Sequence, residues 1–406
     1  MTFTATTTSA AIPHGFRALP LPLLQLSLAA VLKCGQSFRW TIFSDPTEYR
    51  LCLQDRVVCL RQSPTHLLYR EVFPDPQPQE SQLALKEAET LAWLKDYFQL
   101  DVDLLKLYDE WSGRDKVFMN VKDRFSGIRM LRQDPWENLI SFICSSNNNI
   151  SRISKMVQNL CKEFSLPLLS LVDPDAVTLN NYHPFPPPAV LAKPEVASVL
   201  RGLGFGYRAE FIQKTAQMLV DVHGDASETW LQGLRLRSTE CARTELLKFM
   251  GVGRKVADCV LLMSLDKREV IPCDTHVHQI AVKYYGVKGS SGKTNMTPKL
   301  YEEINTKLVK VWGDYAGWAH SVLFTSDLKS FATYGATAES TPATPQRKRP
   351  RNAHKDIVAL PTPPATPVES VGGDRNTSVV DIHDDSGDQA AMTLAERVKK
   401  RRRRGV

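Results

Sequence analysis

Two glycines bracket a valine at Gly251, Val252 and Gly253, between amphipathic stretches at 241–249 and 255–265. Each stretch carries apolar residues at helical spacing. The glycines permit backbone angles that other residues resist, so a hairpin of two helices is expected, with Met250 and Arg254 at its edges. Such a turn leaves the N–H groups that open the second helix unpaired and outward, where an anion can accept from them. Many helix pairs also turn on glycine with no ligand, and the turn alone does not separate the two. Lys255 falls on the first turn of the second helix. Asp274 follows nineteen positions later, at the head of another helix inside Asp274-Thr275-His276.

The chemistry of these two residues narrows the field. A free lysine titrates near ~10.4, so a nucleophilic lysine needs surroundings that free its lone pair; a basic neighbour such as Arg254 would help. By position alone Lys255 reads as a contact to a DNA phosphate, the natural anion for the hairpin. Asp274 reads first as a helix N-cap. A capping carboxylate is also fixed and aimed, and it could stabilise positive charge building on a sugar as its base departs. His276, in the same first turn, could donate to a phosphate or lie idle at the surface.

The 406-residue chain is long enough for two or three domains, and 43% hydrophobic with 23% charged residues is ordinary for a globular protein. Eight cysteines show no paired or clustered spacing, which argues against a zinc site, an iron–sulfur cluster or a disulfide framework and for a reducing compartment. No apolar run reaches membrane-spanning length. From Gly335 onward there are 13 Lys/Arg against 9 Asp/Glu, a net of +4 out of +7 for the whole chain. Any nucleic-acid surface on the folded part is therefore a local basic patch.

Residues 1–14 read as a loose N-terminus without the arginines of a mitochondrial presequence. Residues 37–72 alternate as strands, and from Pro78 the spacing turns helical, through 83–98, 104–111, 135–144 and 150–164. A proline-rich break at 184–188 precedes a second helical block at 193–331. The fold class expected is α+β: a sheet-containing part at 15–130 and an all-helical region at 131–334. The segment 335–406 lacks the apolar content to fold, and its basic clusters at 347–351 and 399–404 fit nuclear import or a grip on nucleic acid.

Four further segments join the hairpin pattern: Gly35-Gln36-Ser37-Phe38-Arg39-Trp40, the run from Ser141 to Ile150 with Asn147-Asn148-Asn149, Gly204-Phe205-Gly206-Tyr207-Arg208, and Gly317-Trp318-Ala319-His320-Ser321-Val322-Leu323-Phe324. With Lys255 and Asp274 they resemble the helix-hairpin-helix base-excision glycosylases, and within them the eukaryotic 8-oxoguanine DNA glycosylase/AP lyase family. The resemblance covers residues 15–332 in order. It implies an N-terminal antiparallel sheet packed on a helical glycosylase domain, with a disordered tail. It also implies a monomer that acts on double-stranded DNA holding an oxidised purine, without metal, cofactor or membrane.

The resemblance assigns roles as well. Lys255 attacks C1′ and forms a Schiff base, with Asp274 as its catalytic partner. The Gly35 carbonyl distinguishes the lesion, which carries a proton at N7, from guanine, which carries a lone pair there. Cys259 and Phe324 sandwich the flipped base, although periodicity alone places both in the core. Tyr207 enters the emptied stack, and Asn147, Arg152 and Arg208 read the orphaned cytosine. Gly251, Gly253 and His276 are the candidates for the DNA backbone from the hairpin reading above.

Two positions depart from the family pattern. Met250 replaces a proline, which should loosen the turn slightly, and His320 replaces a glutamine that reads the edge of the flipped base. An imidazole places its donor and acceptor on opposite sides of its ring, so altered base reading is expected. Rival readings are an endonuclease III-type glycosylase for oxidised pyrimidines and a non-catalytic helix-hairpin-helix DNA binder. The first usually carries a four-cysteine cluster after its catalytic helices, whereas no cysteine follows Cys273 here. The second has no need of Lys255.

Overall fold

Alternating side chains along residues 41–72 build a meander whose last strand folds back on the N-terminus. In a computed structural model describing residues 12–174, 178–288 and 296–335, five antiparallel strands form the sheet: β1 (Arg17–Pro20), β2 (Thr41–Ser44), β3 (Thr47–Cys52), β4 (Val57–Gln62) and β5 (His66–Val72). Their order is β1-β5-β4-β3-β2. The register aligns Tyr49 with Leu60 and Leu60 with Tyr69, so one face carries a buried cross-strand row. That face packs on Leu94, Tyr97 and Phe98 at the end of a long helix. The other face buries Cys52, Val57 and Cys59 with Phe16 and Tyr182; Tyr182 ends a small hairpin of β6 (Leu169–Val172) and β7 (Leu179–Tyr182).

The strand expected from Ser37 begins only at Thr41. Phe38 and Trp40 are buried in different clusters, and the Arg39 guanidinium donates to Glu137 at 2.7 Å and to the Cys52 carbonyl at 2.8 Å. These anchors hold 35–40 as a loop. Strands β1, β6 and β7 were not expected, because four residues each are too few to show a period.

The helices run α1 (Leu28–Val31), α2 (Glu80–Tyr97), α3 (Leu104–Arg114), α4 (Lys116–Val121), α5 (Pro135–Ile143), α6 (Ile150–Phe164), α7 (Pro188–Leu191) and α8 (Val196–Gly202). They continue with α9 (Arg208–His223), α10 (Ser227–Gly233), α11 (Thr239–Leu246), α12 (Arg254–Ser264), α13 (Thr275–Tyr284), α14 (Pro298–Trp312) and α15 (Ala316–Asp327). One apolar core, which includes Trp111, Trp136, Trp312 and Trp318, joins the helices from α3 onward, while α2 packs in the cluster under the sheet. Helix α5 lies along α12, which makes α12 a central element with nine of its eleven residues buried. Two residues near its N-terminus, Arg254 and Lys255, stay partly exposed. No helix among the described residues is long and apolar enough to cross a membrane. Residues 1–11 and 336–406, with most of the expected loose N-terminus and both basic clusters, lie outside the described residues.

Candidate active site

The turn between α11 and α12 has the conformation its glycines suggested. Gly251 sits at φ +79°, and a Cβ there would fall 2.5 Å from the Phe211 side chain. Gly253 is the N-cap of α12 and offers no side chain to its first turn. The N–H groups that open α12 are thus left for an external acceptor. The Met250 carbonyl accepts from Thr215 Oγ1 at 2.8 Å, so a hydrogen bond from α9 holds the turn that a proline was expected to stiffen.

Lys255 points from this first turn toward α5. Its Nζ lies 3.4 Å from Ser145 Oγ and 5.0 Å from the Phe142 ring centroid. No carboxylate pairs with it among the described residues. Arg254 does not act as the expected basic neighbour. Its guanidinium pairs with Asp258 at 3.1 Å and Glu302 at 3.2 Å and lies over the Tyr301 ring, so its charge is spent on α12 and α14.

Asp274 caps α13. One oxygen, Oδ1, accepts from the His276 and Val277 N–H groups at 2.9 and 3.1 Å. The other has no protein donor among the described residues. Asp274 and Lys255 line one cavity with Gly35, Phe142, Cys259, His320 and Phe324. Residues nearly 290 positions apart in sequence meet there, and the expected catalytic pair and all four expected base-pocket residues are brought together.

The walls differ in chemistry. Gly35 sits at φ +89°, and a Cβ would fall 2.9 Å from Ile150 Cδ1. The next residue is clamped: Gln36 donates to the Arg129 carbonyl and accepts from the Leu131 N–H, both at 2.9 Å. No backbone N–H among the described residues donates to the Gly35 carbonyl. Burial pushes the Cys259 thiol up to about 11, with Lys255 pulling the other way, so it is a neutral apolar wall. His320 is 6% exposed and neither ring nitrogen has a hydrogen-bond partner. Burial pushes it down to about 4; the Asp274 carboxylate opposes this and Lys255 adds to it. His320 is therefore a neutral imidazole, and its unpaired nitrogens cost stability until something pairs them. Phe324, one turn further along α15, packs between His320 and His276.

The expected DNA-facing residues fall on two loops, the hairpin and the first turns of α6, α9 and α13. Asn147 is exposed at φ +48°, and Arg152 is exposed with Nη2 3.3 Å from the Gly204 carbonyl. Tyr207 is 51% exposed, its hydroxyl 3.2 Å from the Ser146 carbonyl. Arg208 is placed otherwise. It is buried, and its guanidinium donates to the Ser146, Asn147 and Phe205 carbonyls. As positioned it shapes the loop that presents Asn147, with four of its five N–H donors turned onto loop carbonyls. His276 is half exposed beside Asp327. All eight cysteines are free, and no group of three or more His, Cys, Asp or Glu among the described residues could hold a metal ion.

The 8-oxoguanine DNA glycosylase N-terminal domain family matches residues 18–139, and the HhH-GPD superfamily of base excision DNA repair proteins matches residues 140–310. The N-glycosylase/DNA lyase of Saccharomyces cerevisiae is 37% identical over 375 residues, spanning 86% of this chain and 94% of that protein. The chain belongs to the 8-oxoguanine DNA glycosylase family. An N-glycosylase/DNA lyase of Arabidopsis thaliana is 36% identical over 317 residues, covering 78% of this glycosylase-family chain and 81% of its own. Among solved structures, the 8-oxoguanine glycosylase/lyase of Clostridium acetobutylicum, bound to double-stranded DNA with cytosine opposite 8-oxoguanine, aligns with a TM-score of 0.59 at 26% identity. It covers 74% of this chain and 91% of that one.

Several contacts of this family member's site have no local signal in the sequence. Ser145 and Phe142 seat the amine from 110 and 113 positions away, and only the packing of α5 on α12 brings them to it. Thr215 and Phe211 brace the hairpin from α9. Their i, i+4 spacing on one helix face was the one available signal.

Proposed function

We propose that this chain excises 8-oxoguanine paired with cytosine from duplex DNA and then cuts the abasic strand, with Lys255 as nucleophile. The observation that carries the proposal is the shared cavity, where an amine without a carboxylate partner and a capped carboxylate with a free oxygen face the Gly35 loop. The neutral Lys255 amine attacks C1′ of the everted nucleotide. The C1′–N9 bond breaks, and its electron pair leaves with the base, which takes up a proton. Asp274 offsets the positive charge that builds on the sugar as this bond stretches. Opening of the sugar gives a Schiff base between Lys255 and C1′. Loss of a C2′ proton then expels the 3′ phosphate.

Selection follows from donor and acceptor polarity. The Gly35 carbonyl, unused by the protein backbone, accepts from the N7–H of the lesion and repels the N7 lone pair of guanine. Cys259 and Phe324 supply apolar faces for the base, and His320 meets its edge with one donor and one acceptor. Everting the nucleotide costs a few kcal/mol, offset by the hairpin N–H groups on phosphate and by Tyr207 and Asn147 on the opposite side of the gap. The basic clusters at 347–351 and 399–404 support import into the nucleus, and one copy of the chain suffices for the reaction.

The test is covalent trapping. Borohydride should link the protein to an oligonucleotide duplex holding 8-oxoguanine opposite cytosine, and Lys255→Gln should abolish both the link and base release while duplex binding persists. Retained turnover in Lys255→Gln would assign the nucleophile elsewhere.

A further inference from the structure

Helix α14 contributes no residue to the cavity, yet one of its side chains joins the two elements that carry the catalytic pair. The Tyr301 hydroxyl, on a residue 5% exposed, accepts from the Cys273 N–H at 3.0 Å and donates to Asp258 Oδ2 at 2.7 Å. Cys273 immediately precedes Asp274. Asp258 follows Lys255 by three residues, less than one turn along α12. Asp258 is fully buried and also accepts from Arg243 Nε at 2.8 Å and Arg254 Nε at 3.1 Å. It is therefore a rigid anchor.

One turn along α14, Asn305 takes the Ile271 N–H at 3.3 Å, donates to the Ile271 carbonyl at 3.1 Å and meets Cys273 Sγ at 3.2 Å. Residues 271–273 have no strand or helix of their own. Their position is set by these side chains, and Asp274 hangs from the end of them. Burial and the Asp258 carboxylate push the Tyr301 phenol far above its ordinary range, so it stays a donor throughout the working pH range.

We propose that Tyr301 is a positioning residue, whose hydroxyl sets the separation of the Lys255 amine and the Asp274 carboxylate by bridging Asp258 to the Cys273 peptide. The inference rests on the reading of Lys255 and Asp274 as the working pair. Reacting groups tolerate roughly 0.5 Å of misplacement, and a shift of about 1 Å can cost a hundredfold in rate. A hydrogen bond from a side chain locked between two elements holds such a tolerance; a flexible tripeptide does not.

Tyr301→Phe removes the hydroxyl and keeps the ring under Arg254 (5.0 Å), and Asp258 keeps both arginines. Single-turnover release of 8-oxoguanine should slow about tenfold or more, while affinity for the lesion duplex stays within about twofold of the unmodified protein. In an Asp274→Asn background the same change should have no further effect, because the tie acts through Asp274. Asn305→Ala loosens 271–273 without touching Asp258 and should give the same pattern, so the proposal stands or falls even if Tyr301→Phe fails to fold. An unchanged rate in the variants would overturn it, as would equal fractional losses with and without Asp274. Unmodified protein that releases no base would refute the catalytic reading instead.

Discussion

Asp274→Asn separates the cap that one carboxylate forms from the charge balance proposed for it. Its Oδ1 takes the His276 and Val277 N–H groups at 2.9 and 3.1 Å, and an asparagine Oδ1 can take both. Asparagine caps helices about as well as aspartate, whereas alanine costs about 1 kcal/mol. The lost charge at the N-terminus of α13 adds only a few tenths of a kcal/mol at a partly exposed site. Asp274→Asn should therefore unfold in urea within about 0.5 kcal/mol of the unmodified protein, and Asp274→Ala about 1 kcal/mol or more below it.

Chemistry should rank the variants differently. On the proposed mechanism the free oxygen balances charge on the sugar, and removing one preorganised electrostatic partner typically costs 10²–10³ in rate, about 3–4 kcal/mol. Both variants should lose that much in single-turnover base release, although only one loses the cap. The assay pairs urea midpoints with quenched-flow release of 8-oxoguanine from a duplex. Asp274→Asn releasing base at the unmodified rate would show that Asp274 is a cap and nothing more. Equal destabilisation of the two variants would show that the cap argument is wrong.

His320→Gln tests the buried imidazole by stability and by substrate. Burial pushes His320 down to about 4 in the folded protein from an ordinary 6.5, so between these values the unfolded chain binds the extra proton and stability falls as pH drops. The loss approaches about 3 kcal/mol at pH 4, and glutamine should abolish it; urea titrations at pH 7 and 4.5 that show the same gap between the two proteins would contradict this assignment. The same variant should sharpen discrimination among oxidised purines, an outcome read from release rates on matched duplexes. Gly251→Ala places a methyl into the left-handed region at φ +79° and within 2.5–2.7 Å of three Phe211 atoms, which costs about 1–2 kcal/mol from the backbone alone. The hairpin should shift off the phosphate, lowering duplex affinity about tenfold and flattening its salt dependence; an unchanged salt slope would place the phosphate contact elsewhere.

The local signals in the chain translated well into structure where one short segment carried the whole instruction. Helix α6 runs Ile150–Phe164 as its spacing predicted, because Asn149 caps it through the Arg152 N–H and Ile153, Val157 and Leu160 share a buried face. The glycine hairpin and the Asp274 cap were legible for the same reason. What stayed hidden depends on partners far off in sequence. The resemblance made Arg208 a reader of the orphaned cytosine; the fold turns most of its guanidinium onto the Ser146, Asn147 and Phe205 carbonyls. Arg254 looked like an activating charge, but Asp258 sits one turn along the same helix and Glu302 reaches it from α14. Nothing within a window around Lys255 could reveal that Ser145 and Phe142 would seat its amine.

The two departures from the family pattern end differently, and the reason is where each residue sits. Met250 lies on an exposed turn whose geometry is set from outside it, by the Thr215 hydroxyl on its carbonyl and by Phe211 against Gly251. Loss of a stiff residue there is absorbed, since a turn held by two contacts from α9 needs less conformational restriction of its own. His320 lies inside the cavity with both nitrogens unpaired. No neighbour compensates it, so the cost of the change is carried by the protein alone and relieved only by what enters. A buried polar group left unsatisfied in the empty site shifts the balance toward ligands that satisfy it. The substitution on the turn is therefore absorbed by α9, while the one in the pocket leaves a buried donor and acceptor for whatever enters to pair.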